Sequence, residues 1–211
     1  GSVYVARARG NLIDLVEFVA GVAQPTETIT LPSGSTALPR AFVVASDGDL
    51  IMPFFTSSNT GDARDPRDER LHVAHRNSAN GTVSTSELGS IADSEHATGN
   101  GFVSLGMLRL GNGDLALGWT SMDRTELRRR AVVATSSNGI SWGDVTELHP
   151  SGGGGQLFVG MASQSNGDIV AVLSDNSSIS GDISNATQID DSPQGLDAPR
   201  MEDILVRISA P

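Results

Sequence analysis

The chain has 211 residues, 38% of them hydrophobic and only 4% aromatic, with 24 glycines and a formal net charge of -11. That acidity argues against a nucleic-acid backbone or an anionic membrane surface as partner, and no run approaches the ~18–20 apolar residues of a membrane span. With no cysteine, disulfides and thiolate metal sites are excluded and the compartment stays open.

From the amino terminus, Val3–Arg7 and Leu12–Phe18 read as two strands. A hairpin follows: an apolar run from Ala41 to Ala45, the turn Ser46-Asp47-Gly48-Asp49-Leu50, and a second apolar run to Phe55. The same signature returns around Gly111-Asn112-Gly113-Asp114-Leu115 and around Ser165-Asn166-Gly167-Asp168-Ile169. Asp-Gly or Asn-Gly between apolar runs is a strong hairpin signal, and a type I′ turn with two positive-φ positions is expected there. After each hairpin comes a polar stretch and a third strand, at Arg70–His75, Arg130–Thr135 and Asp203–Ile208. A fourth strand is expected at Thr82–Thr85 and at Asp144–Leu148.

Four antiparallel strands repeating at such intervals make a β-propeller blade. The expected fold is all-β, with about three four-stranded blades in one domain over 1–211: a half-blade at 1–31, blades at 37–92 and 100–150, and a partial blade at 156–211. On this reading the amino-terminal strands are the third and fourth of their blade. Closed propellers typically need four to eight blades, so the chain is half of a six-bladed ring or a fragment of a larger one. A homodimer closes the half ring if each amino-terminal strand pair completes the partner's last blade.

Thr135-Ser136-Ser137-Asn138-Gly139-Ile140-Ser141-Trp142 resembles the Asp-box of sialidases and related propellers, S/T-x-D-x-G-x-x-W. Thr135, Gly139 and Trp142 match, and Ser137 stands where the Asp is usual. In that family the box is a structural turn between third and fourth strands. Its side-chain oxygen holds backbone amides and its Trp packs between blades. A degenerate copy, Asn77–Gly81, holds the same place one blade earlier.

Pro39-Arg40-Ala41 lies roughly where sialidases place an Arg-Ile-Pro motif, whose arginine helps clamp the substrate carboxylate. The order here is Pro-Arg rather than Arg-x-Pro. The resemblance implies an acid/base aspartate in the following charged loop, and Asp65 is the candidate, with Arg40, Arg64, Asp62 and Asp68 as ligand-binding residues. The bland alternative for this loop is a solvated, self-paired surface. All 14 basic residues are arginines, forked donors suited to carboxylates.

A retaining sialidase also needs a tyrosine nucleophile assisted by a glutamate. The single tyrosine, Tyr4, sits inside a strand, a place for packing. His72 and His75, three residues apart in one strand, point to opposite faces and cannot share a metal ion. No metal or other cofactor is implied. Trp119 is read as core between blades, with sugar stacking as the alternative. The expected function is a glycan- or surface-ligand-binding module without turnover. An exo-sialidase is one alternative, and a structural or receptor-binding component, such as a phage tail protein, is another. A glycan-recognising module suits an extracellular or virion-associated setting.

Overall fold

The computed structural model describes residues 2–38, 41–45, 47–59, 67–91, 105–123, 128–149, 156–164, 166, 168–175 and 202–208. Its strands form four antiparallel sheets. The first holds β1 (Ser2–Arg9), β2 (Leu12–Val19), β3 (Val22–Ala23) and β4 (Glu27–Thr30). The second holds β5 (Ser35–Ala37), β6 (Val43–Val44), β7 (Leu50–Asn59), β8 (Arg67–Arg76) and β9 (Val83–Ser90). In the third run β10 (Leu105–Arg109), β11 (Leu115–Asp123), β12 (Arg128–Ser136) and β13 (Thr146–Glu147), and in the fourth β14 (Gln156–Ser163), β15 (Ile169–Asp175) and β16 (Glu202–Ile208).

Strand direction gives each sheet its place in the repeat. In the second sheet β5 and β6 form an interrupted first strand paired with β7, which pairs with β8 and then β9. The third sheet repeats this order as β10-β11-β12-β13, and the fourth stops at β14-β15-β16. In the first sheet β3 and β4 both pair with β2, on the side away from β1, and β4 leads into β5. So β4 corresponds to β9 and β13, the fourth strands that lead into the next sheet. The amino-terminal strands β1 and β2 are therefore second and third in their sheet, not third and fourth as expected. The reading missed β3 and β4 because Gln24-Pro25-Thr26 interrupts the alternation between them, and proline cannot donate to a ladder.

The Asx-Gly-Asp turns also differ from expectation. Gly113 N–H donates to Leu110 O at 2.9 Å and Leu110 N–H to Asp114 O at 2.7 Å, with Gly113 at φ 96° and no other positive φ in the loop. Gly48 at φ 87° closes the first turn in the same way. These are three-residue loops ending in a left-handed glycine bulge, so one positive φ suffices where a type I′ turn needs two. A turn with positive φ at both centres lies instead between β2 and β3, at Ala20 and Gly21, with φ 50° and 81°.

The cores lie between successive sheets. Alternation along β2, β4 and β7 turns Ile13, Leu15, Ile29, Leu50, Met52 and Phe54 into the junction of the first and second sheets. The opposite faces of β7 and β8 put Ile51, Leu71 and Val73 against Leu115, Leu117 and Trp119 of the third sheet. Trp119 is fully buried there, and its indole N–H donates to Ser90 O at 3.0 Å. Phe158 of β14 is likewise buried against Gly106 and Gly118, and a Cβ at Gly118 would overlap its ring.

Candidate functional site

Each sheet has two dissimilar ends. The lower end carries the Asx-Gly-Asp turns and the β8–β9 and β12–β13 turns. At the upper end Gly10 and Asn11 join β1 to β2 and residues 31–34 join β4 to β5, while the other connections run through 60–66, 92–104, 124–127, 150–155 and 176–201, outside the described residues.

Lower-end side chains are occupied in holding turns. Ser136 Oγ accepts from Gly139 N–H at 2.8 Å and from Asn138 N–H at 3.3 Å, while Asn138 Oδ1 accepts from Ile140 N–H at 2.9 Å and Ser141 N–H at 2.8 Å. The amide-binding oxygens of the box thus come from Ser136 and Asn138 rather than from Ser137, which is exposed. Thr135 contributes its carbonyl, which accepts from Gly143 N–H at 2.9 Å. Trp142 packs on the core between the second and third sheets. Gly139, at φ 71°, lies so close to the second sheet that a Cβ there would come within 2.7 Å of Ile51 Cγ1 and 3.4 Å of His75.

Beside it, Asp49 Oδ1 accepts from Ser78 N–H at 2.7 Å and Asp49 Oδ2 lies 2.8 Å from His75 Nε2. The Ser78 amide, before all other causes, holds the Asp49 carboxyl below the ordinary carboxylate range. His75 faces this joint, whereas His72 faces the other side of the sheet, so the two do not meet.

The upper end of the second sheet is different. Register aligns Ser35 with Thr56 and Thr56 with Arg70, and one step lower Phe54 with His72 and His72 with Glu87. Thr56 Oγ1 and His72 Nε2 are 3.0 Å apart. The imidazole stacks on Phe54, with ring centres 5.0 Å apart. Arg70 Nε donates to Glu87 Oε1 at 2.9 Å. Burial, chiefly, pushes the His72 pKa below its ordinary value; the Glu87 charge raises it and the Arg70 charge lowers it again. A neutral imidazole both donates and accepts. The hydroxyl of buried Ser35 has no hydrogen-bond partner among the described residues. Hydroxyls, a neutral imidazole and an Arg–Glu pair over an aromatic floor together offer donors and acceptors without a fixed net charge.

Of the site residues expected from sequence, Arg40, Asp62, Arg64 and Asp65 lie outside the described residues. Asp68 is in β8 opposite Ser58, its side chain likewise outside them. Their attachment points are clear. Pairing passes from Ala37–Phe54 to Val43–Ile51, so the first strand is interrupted opposite Met52 and Pro53. Tyr4 has a partner in Glu17: its phenol donates to Glu17 Oε1 at 2.9 Å, and that bond is the main cause raising its pKa. Tyr4 lies near the lower end of β1, whereas Asn59 of β7 and Arg67 of β8 lie at the upper end of the second sheet.

No family model matches the chain, and no curated protein does. Among solved structures, the GH93 alpha-L-arabinofuranosidase of Fusarium graminearum, solved with arabinobiose, matches over all of this chain and 60% of its own, at 12% identity and a TM-score of 0.52. What the two share is a β-propeller fold. An endo-arabinase from Bacteroides thetaiotaomicron VPI-5482 matches at 13% identity and a TM-score of 0.44, over 100% of this chain and 71% of that one. The Hadza microbial sialidase Hz136 matches at 12% identity and a TM-score of 0.42, over 79% and 41%. The chain thus spans well under the full length of these propellers, and at such identities the likeness is one of fold alone.

Proposed function

We propose that this propeller chain recognises carbohydrate at the upper end of its sheets, without turning it over. The observation behind this reading is the Ser35, Thr56, His72, Arg70 and Glu87 group, spread over β5, β7, β8 and β9. The upper ends of β7 and β8, Asn59 and Arg67, bound the sequence segment with Asp62, Arg64 and Asp65, while Arg40 lies in sequence between β5 and β6. Neutral hydroxyl and imidazole groups suit the hydroxyls of a sugar, and arginine suits a carboxylate on it. Titration calorimetry with oligosaccharides selected on a glycan array, alongside hydrolysis of fluorogenic sialosides and arabinofuranosides, tests the proposal. Saturable binding without hydrolysis, weakened at least about tenfold by His72→Ala or Arg40→Ala, is expected. Hydrolysis abolished by Tyr4→Phe would overturn it.

The hydrogen-bonded Tyr4–Glu17 pair favours exo-sialidase activity as a second reading, since that chemistry needs a tyrosine assisted by a glutamate. It ranks below the first because the pair sits at the lower end, while the acid/base candidate Asp65 belongs to an upper-end connection.

A further inference from the structure

Asparagine followed by glycine can close on itself: the glycine nitrogen attacks the asparagine Cγ, ammonia leaves, and the imide opens with water to aspartate or isoaspartate. Glycine permits this because no Cβ blocks the approach. Three such pairs lie within the described residues: Asn80-Gly81 in the β8–β9 turn, Asn112-Gly113 in the β10–β11 turn and Asn138-Gly139 in the box. In each the glycine N–H donates a hydrogen bond, to Asn77 O at 2.9 Å, Leu110 O at 2.9 Å and Ser136 Oγ at 2.8 Å, so that bond does not distinguish them.

Two other features do. The side-chain amide must be free to leave, and Asn112 Nδ2 is held by Asp114 Oδ2 at 2.9 Å. There must also be room for the peptide to turn and the ring to form. Gly139 is buried, and even a Cβ there would meet Ile51 Cγ1 at 2.7 Å and Leu115 Cδ1 at 3.3 Å. Gly81 has the same φ of 71° with nothing within 4 Å of such a Cβ, and Asn80 is exposed. Asn80 Nδ2 makes no hydrogen bond among the described residues. Asn80 Oδ1 accepts from Thr82 N–H at 3.0 Å and from the Thr82 hydroxyl at 2.7 Å. Two donors on that oxygen draw electron density from Cγ and stabilise the charge that attack places on it.

We propose that Asn80 is a modification site, converting spontaneously to aspartate and isoaspartate in the folded chain ahead of Asn112 and Asn138. The bond from Gly81 N to Asn80 Cγ forms as the N–H proton passes to solvent, and the Cγ–Nδ2 bond breaks as ammonia leaves with a proton from water. Water then adds across one C–N bond of the imide. The product has a new carboxylate and, as isoaspartate, an extra backbone atom in the turn that Asp49 holds through Ser78 N–H. Conversion therefore loosens that joint as the protein ages. The proposal is independent of any ligand.

The test is peptide mapping by mass spectrometry on the full chain after incubation at mildly alkaline pH, with fragmentation that tells isoaspartate from aspartate. Asn80 is expected to convert at least about tenfold faster than Asn112 or Asn138 in the folded chain. Thr82→Val, which removes one donor, slows it severalfold, and in urea the three rates converge. Circular dichroism checks that the variant is folded; if it is not, the native and urea rates of the unaltered chain decide alone. An unconverted Asn80, an Asn112 or Asn138 that converts as fast in the folded chain, or the same ranking of rates in urea overturns the proposal.

Discussion

The two ends of the sheets do different work with similar residues. At the lower end, polar side chains satisfy backbone groups of their own turns. In the third and fourth sheets Asn112 Nδ2 donates to Asp114 Oδ2 at 2.9 Å, and Asn166 Nδ2 to Asp168 Oδ2 at 2.8 Å. Asp47 has no proton to offer at the equivalent place, so Asp49 turns instead to Ser78 and His75. At the upper end of the second sheet, Ser35, Thr56 and His72 hold no turn, whereas the Arg70–Glu87 pair has a counterpart in Arg130–Glu147 between β12 and β13. Repeated polar chemistry marks what every blade needs in order to fold. Chemistry that occurs once marks the place to look for function.

Substitutions at the two ends separate these roles. The largest expected loss is at the core between them: Trp119→Ala empties a fully buried site and removes the indole donor to Ser90 O, costing about 3–5 kcal/mol in urea unfolding. Gly139→Ala and Gly81→Ala share a φ of 71°, but only the first drives a Cβ into Ile51. Losses of about 2–4 kcal/mol and about 1 kcal/mol are expected; equal losses would mean that backbone strain, not packing between sheets, fixes the glycine of the box.

Asp49→Asn removes the carboxylate that meets the Ser78 amide and His75, for about 1–2 kcal/mol. Because folding lowers the Asp49 pKa from 3.8, its contribution is complete above that value and is lost as the pH falls below it, through the folded pKa. The variant therefore shows a shallower fall in stability as the pH drops below about 4. An unchanged acid limb would remove Asp49 as its source. Smallest in stability is His72→Ala, at about 1 kcal/mol, with its main effect on sugar affinity.

The turns were legible because their chemistry is local: Asx, Gly and Asp lie within a few residues and hydrogen-bond one another. What the sequence obscured depended on register or on an uncommon backbone. Ala20 in the left-handed region gave no turn signal, so β3 went unseen and the strand positions of the first sheet slipped by one. In the box, the motif spacing pointed to Ser137, whereas Ser136 and Asn138 turn toward the amides. The upper group was not legible either. Thr56 and His72 are sixteen positions apart, and only the pairing of β7 with β8 joins them.

The most direct test of carbohydrate recognition at the upper end is amide hydrogen exchange with and without a saturating oligosaccharide. The account predicts slowed exchange in peptides covering 35–42 and 56–72, with 45–49, 76–83 and 135–143 unchanged. Protection confined to those lower turns, or none anywhere at saturation, would contradict it.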